Sequence, residues 1–142
     1  MSEAKNILVA EDARQDFILL QAALEEAGLP HHLQNVRDGL EVVAYLKGEA
    51  PFSDRRRFPF PDLLLMDVHM PKAGGFEVLN FLRERPEFKV PAVIFSGSML
   101  ASDRLKAMNL GAAECFKKPD DLDELITLVQ TIHHRWLEGA HV

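Results

Sequence analysis

Apolar and polar positions follow two different rhythms along this chain. Short unbroken apolar runs, such as Ile7-Leu8-Val9-Ala10 and Leu63-Leu64-Leu65-Met66, alternate with stretches where apolar residues recur every three or four positions. The runs read as strands covered on both faces, and the stretches as amphipathic helices. Phe17, Leu20, Leu24 and Ala27 mark a helix from Ala13 to Ala27, stopped by Gly28 and Pro30. A strand over His31–Val36 leads to a helix over Gly39–Lys47, with Leu40, Val43 and Leu46 on its apolar face. After the Leu63–Met66 strand come a helix over Phe76–Arg83, a strand over Pro91–Phe95 and a helix over Asp103–Leu110 that stops at Gly111. A strand over Ala112–Phe116 and a helix over Leu122–Leu137 complete the chain. Residues 48–61 carry three prolines, one glycine and the Arg55-Arg56-Arg57 run, and read as a loop insertion.

Five strands and five helices in strict alternation predict an α/β fold: a doubly wound parallel sheet with helices on both faces. Right-handed crossovers favour the strand order 2-1-3-4-5. The length of 142 residues fits one domain, spanning 1–142.

Charge and cysteine use narrow the function. Sixteen basic against 22 acidic residues leave a net charge of −6, which disfavours nucleic acid as a partner. The three arginines are read as a solvated loop or, alternatively, a docking site. No apolar run approaches the roughly 20 residues of a membrane helix. The single cysteine, Cys115, allows no intramolecular disulfide, and the expected setting is the cytoplasm.

In an open parallel sheet, ligands sit beyond the carboxyl ends of the strands near the point where strand order reverses. The first strand ends in Glu11-Asp12, the third in Asp67, the fourth in Ser96, and the fifth runs on into Lys117-Lys118-Pro119. Three carboxylates, a hydroxyl and an ammonium therefore converge on one edge. Carboxylates so close repel unless a cation joins them, and Mg²⁺, a hard ion that prefers oxygen ligands, suits the set. Such a group is equipped for phosphoryl transfer, with metal and ammonium offsetting the charge on the transferred oxygens. The plainer readings make Asp12 a helix N-cap, Ser96 a turn residue and Lys117 a solvated neighbour.

These residues also resemble a known family. Ile7-Leu8-Val9-Ala10-Glu11-Asp12 is similar to the first strand and acidic pair of response-regulator receiver domains, which share the flavodoxin-like (βα)5 fold. Leu64-Leu65-Met66-Asp67-Val68-His69-Met70-Pro71 followed by Gly74-Gly75 resembles the phosphoacceptor strand and its loop. Val93-Ile94-Phe95-Ser96-Gly97-Ser98 and Lys118-Pro119 resemble the hydroxyl and lysine strands, the latter with a cis Lys-Pro bond in the family. The resemblance implies that Asp67 is phosphorylated. It implies that Mg²⁺ is held by Asp12 directly, Glu11 through water, an oxygen of Asp67 and the backbone carbonyl of His69. Ser96 and Lys118 would then contact the phosphoryl group. The loop insertion, Lys89-Val90-Pro91 and the ending Ile132-His133-His134-Arg135-Trp136-Leu137 resemble stand-alone regulators of bacterial phytochrome kinases. The implied partners are a histidine kinase, of phytochrome type by the subgroup resemblance, or a phosphotransfer protein. Output would pass through a partner protein or a homodimer on the face of the fourth helix, fifth strand and fifth helix.

Two departures from the family stand out. Cys115 occupies the place of the family's switch aromatic, and Phe116, one residue on, should face the other side of the sheet. His69 and Ser98 occupy positions that tune dephosphorylation in the family. Two other functions compete. One is a pseudo-receiver that only binds partners. The other is a Mg²⁺-dependent phosphohydrolase, opposed by His69 standing where such enzymes place a second acid. The expectation is a signalling domain and not an enzyme.

Overall fold

The computed structural model describes residues 4–70 and 72–138. The outer ends of the expected 1–142 domain, and Pro71 of the loop motif, lie outside the described residues. In chain order the elements are β1 (Lys5–Ala10), α1 (Arg14–Glu26), β2 (His31–Val36), α2 (Gly39–Lys47) and β3 (Leu63–Met66). There follow α3 (Gly75–Glu84), β4 (Ala92–Ser96), α4 (Ala101–Asn109), β5 (Glu114–Lys117) and α5 (Leu122–Trp136). The sheet is parallel with order β2-β1-β3-β4-β5, as the alternation predicts. Among the described residues no helix is long and apolar enough to cross a membrane.

Side-chain alternation along the strands builds two cores. Leu8, Ala10, Leu64, Met66, Ile94 and Cys115 face α2, α3 and α4. Ile7, Val9, Leu63, Leu65, Val93 and Phe95 face α1 and α5. Cys115 and Phe116 fall on opposite sides as expected, Cys115 buried in the first core and Phe116 packed on the second. The aromatic is therefore on the side away from α4.

Several expectations need correction. The inward face of α2 is Val42, Tyr45 and Leu46, while Leu40 is exposed. Tyr45 decides this: its ring meets Phe52 at 5.1 Å and Phe58 at 6.0 Å, both from the loop, and its hydroxyl donates to the Pro59 carbonyl at 2.9 Å. Arg55 is no solvated residue. Its guanidinium donates to the carbonyls of Tyr45 (2.8 Å), Leu46 (2.9 Å) and Phe58 (3.1 Å), tying the loop to the carbonyl end of α2. Arg56 and Arg57 are exposed. The fifth strand starts at Glu114 and not Ala112, because the Ala112 amide is spent on the Ala107 carbonyl at 3.0 Å, closing α4. The Lys118-Pro119 bond is trans, the ordinary preference of an X-Pro amide; among the described residues the cis bond is Ala50-Pro51.

Two glycines set the geometry of the carboxyl edge. The Gly39 amide donates to the Ala73 carbonyl at 2.8 Å, and a Cβ on Gly39 would lie 2.3 Å from that same oxygen. A Cβ on Gly75 would lie 2.9 Å from the Asp67 carbonyl oxygen. The loop after β3 is thus pressed between α2 and the end of its own strand, and only hydrogen fits at either contact.

Candidate functional site

The pairing of strands places the site. Ala10 lies opposite Met66, and Met66 opposite Ile94, so β1, β3 and β4 end side by side. The Asp67 amide donates to the Ala10 carbonyl at 3.3 Å, which fixes Asp67 next to Glu11 and Asp12. The Lys118 amide donates to the Ser96 carbonyl at 2.8 Å and carries the β4–β5 pairing one residue past the strand. The lysine side chain then crosses back over the edge toward β1 and β3.

Its ammonium is the hub of the site. Lys118 Nζ donates to Glu11 Oε1, to Asp16 Oδ2 at 2.9 Å and to Asp67 Oδ2 at 3.3 Å. An ammonium has three donors, and all three are used. The Lys118, Glu11 and Asp67 side chains are largely buried, at 14%, 6% and 13% exposure. The other oxygens are held by backbone: Glu11 Oε2 accepts from the Ala13 amide at 3.1 Å, and Asp67 Oδ1 from the His69 amide at 2.9 Å. Burial raises the Glu11 pKa, and its hydrogen bonds to Lys118 and Ala13 offset this only in part. Burial alone would lower the Lys118 pKa, but the hydrogen bonds to Glu11 and Asp16 and the charges of Glu11 and Asp67 outweigh it and push it up.

Ser96 is 1% exposed, and its hydroxyl is buried without a hydrogen-bond partner. An orphaned buried hydroxyl is costly and calls for an explanation, and a missing ligand oxygen is one. His69 is exposed, and its Nε2 lies 3.2 Å from the Ser98 carbonyl and 3.8 Å from Asp103 Oδ2. The ring thus bridges the loops after β3 and β4.

Glu11, Asp12, Asp67, His69, Ser96 and Lys118 all lie at this edge. Asp12 is exposed there and is not a helix cap, since Ala13 holds the N-cap position of α1. Lys118 points into the site, while Lys117 is exposed. Sequence reasoning missed Asp16. The signal was present: Asp16 stands one helical turn after Asp12, so a helix starting at the strand end returns its carboxylate to the same edge.

The set also fits a hard cation. Glu11, Asp12 and Asp67 supply oxygen donors from adjoining strand ends, the donor type Mg²⁺ selects. Among the described residues no three His, Cys, Asp or Glu side chains are arranged to hold a metal ion; Glu11, Asp16 and Asp67 are gathered on the Lys118 ammonium instead.

Comparison with known proteins agrees with this fold. Residues 7–130 match the response regulator receiver domain family. Response regulator Rcp1 of Synechocystis sp. is 33% identical over 135 residues, covering 94% of this chain and 90% of Rcp1. The crystal structure of the phosphorylated cyanobacterial phytochrome response regulator RcpA superposes with a TM-score of 0.85 at 33% identity, covering 96% of both chains. RPA3017, a response regulator in red light signaling of R. palustris, superposes with a TM-score of 0.89 at 27% identity, again covering 96% of both. Other relatives are longer: the chain spans 50% of GtcR of Aneurinibacillus migulanus, at 28% identity. With its sheet order, its matched residues 7–130 and its likeness to Rcp1, this chain belongs to the response regulator receiver domain family.

Proposed function

We propose that this chain, acting as one receiver domain over 1–142, is the phosphate-accepting switch of a two-component phosphorelay, with Asp67 as acceptor. The observation that carries the reading is the largely buried Asp67 carboxylate, paired with Lys118 at the strand ends, with the Ser96 hydroxyl at the end of β4 buried without a partner. One Asp67 oxygen attacks the phosphorus of a kinase phosphohistidine. The new O–P bond forms as the P–N bond breaks, and the imidazole keeps the electron pair and takes up a proton. Lys118 neutralises one phosphoryl oxygen and Ser96 donates to another. Glu11, Asp12, Asp67 and the His69 backbone carbonyl would hold Mg²⁺, which supplies charge neutralisation at the transferred group.

The dianion on Asp67 draws the Ser96 hydroxyl toward it and so biases the packing of β4 and α4. Output then leaves through α4, β5 and α5, to a partner protein or a second copy of the chain. Leu100, Leu105 and Met108, exposed around α4, support an apolar contact there. With Cys115 at the family's aromatic position, no ring swing contributes. RcpA and RPA3017 support a phytochrome-type histidine kinase as donor, the net charge of −6 supports a protein partner over nucleic acid, and the single cysteine supports a cytoplasmic setting. The test is phosphotransfer from an autophosphorylated phytochrome-type kinase in Mg²⁺. Label should move to the wild type and not to Asp67→Asn. Transfer to both proteins, or to neither from any such kinase, would remove Asp67 from this role.

A further inference from the structure

Asp16 has no part in the steps above, yet it makes one of the three hydrogen bonds of Lys118. It lies in the first turn of α1, its amide bonded to the Ala13 carbonyl at 3.1 Å, and its Oδ2 stands 2.9 Å from Lys118 Nζ, nearer than Asp67 at 3.3 Å. Its side chain is 46% exposed, against 6% for Glu11 and 13% for Asp67.

All three donors of Lys118 are occupied, so a phosphoryl oxygen that is to gain more than the long 3.3 Å contact Asp67 gives up on esterification can do so only if a second carboxylate lets go. Glu11 is 6% exposed and holds Lys118 through a buried hydrogen bond, so releasing it costs more. Asp16 can be rehydrated at once, and a half-exposed pair is worth little. Resting on the reading of Asp67 as phosphoacceptor, we infer that Asp16 is a positioning residue: it holds Lys118 in the unphosphorylated state and is the partner exchanged for the phosphoryl group. Asp16 therefore competes with the phosphoryl group for Lys118 and shortens its residence. The same carboxylate favours a divalent cation at the edge through its charge.

Asp16→Asn separates these effects, because they move in opposite directions. The probes are beryllofluoride, a phosphoryl mimic, titrated in saturating Mg²⁺, and Mg²⁺ alone. The exchange predicts tighter beryllofluoride binding by roughly two- to fivefold and weaker Mg²⁺ binding by a similar factor. Asp16→Glu should restore both values toward wild type. In a Lys118→Met background, Asp16→Asn should no longer tighten beryllofluoride binding. A merely structural Asp16 would weaken both ligands together, and that result overturns the inference, as does tightening that survives without Lys118. Wild type that binds no beryllofluoride would instead overturn the phosphoacceptor reading, and this inference with it.

Discussion

Replacing Lys118 by methionine removes the ammonium while keeping an unbranched side chain of similar length. Glu11 and Asp67, at 6% and 13% exposure, then face each other with no cation between them. Breaking a buried pair from one side costs about 3–5 kcal/mol, and the half-exposed contact to Asp16 adds at most about 1 kcal/mol. The site opens to water at the strand ends, so the lower figure applies, about 3 kcal/mol in the absence of metal. The raised Lys118 pKa fixes the pH window. Its contribution is fully present below the ordinary lysine value and is lost only as pH rises through the higher folded value, so at neutral pH the whole effect is measured. Urea unfolding in EDTA, followed by circular dichroism, should show the deficit. On the proposed reading, Mg²⁺ binds the folded state alone and no longer competes with an ammonium in the variant. At one fixed Mg²⁺ concentration, set a hundredfold over the variant's dissociation constant, the variant regains about 2.7 kcal/mol and wild type, which would bind Mg²⁺ more weakly, regains less, so the gap narrows. A variant as stable as wild type in EDTA, or a deficit unchanged by Mg²⁺, would refute the ammonium's place as the charge hub.

Gly39→Ala forces a methyl group to within 2.3 Å of the Ala73 carbonyl oxygen, and should cost about 1–3 kcal/mol in urea unfolding while displacing the loop after β3. Ser96→Ala deletes a buried hydroxyl that has no partner; stability should hold or rise by about 1 kcal/mol, while beryllofluoride affinity falls. Glu11, with its pKa raised by burial, takes up its proton at higher pH folded than unfolded. Its contribution is full below the ordinary carboxyl value and lost as pH rises through the raised one. Metal-free unfolding free energy should therefore contain a falling component in mild acid that Glu11→Gln abolishes.

The sheet was legible because its central strands are unbroken apolar runs, and Leu63–Met66 needed no other signal. Once the order 2-1-3-4-5 was written down, the residues ending each strand named the edge where Glu11, Asp67, Ser96 and Lys118 meet. The inward face of α2 was not legible, since Leu40-Val43-Leu46 and Val42-Tyr45-Leu46 both have helical spacing. The choice between them rests on Phe52 and Phe58, contributed by a loop without periodicity. The role of Arg55 was hidden for the same reason, among three arginines that composition cannot tell apart. Asp16 was not legible because it stands in the first turn of α1 and not at a strand end.

Incubation with acetyl phosphate and Mg²⁺, read by intact-protein mass spectrometry with peptide localisation, tests the central claim most directly. Wild type should gain the mass of one phosphoryl group on the peptide containing Asp67, and should gain nothing in EDTA. Asp67→Asn should remain unmodified under both conditions. Wild type that stays unmodified, or a phosphoryl group that persists in Asp67→Asn, would contradict the account.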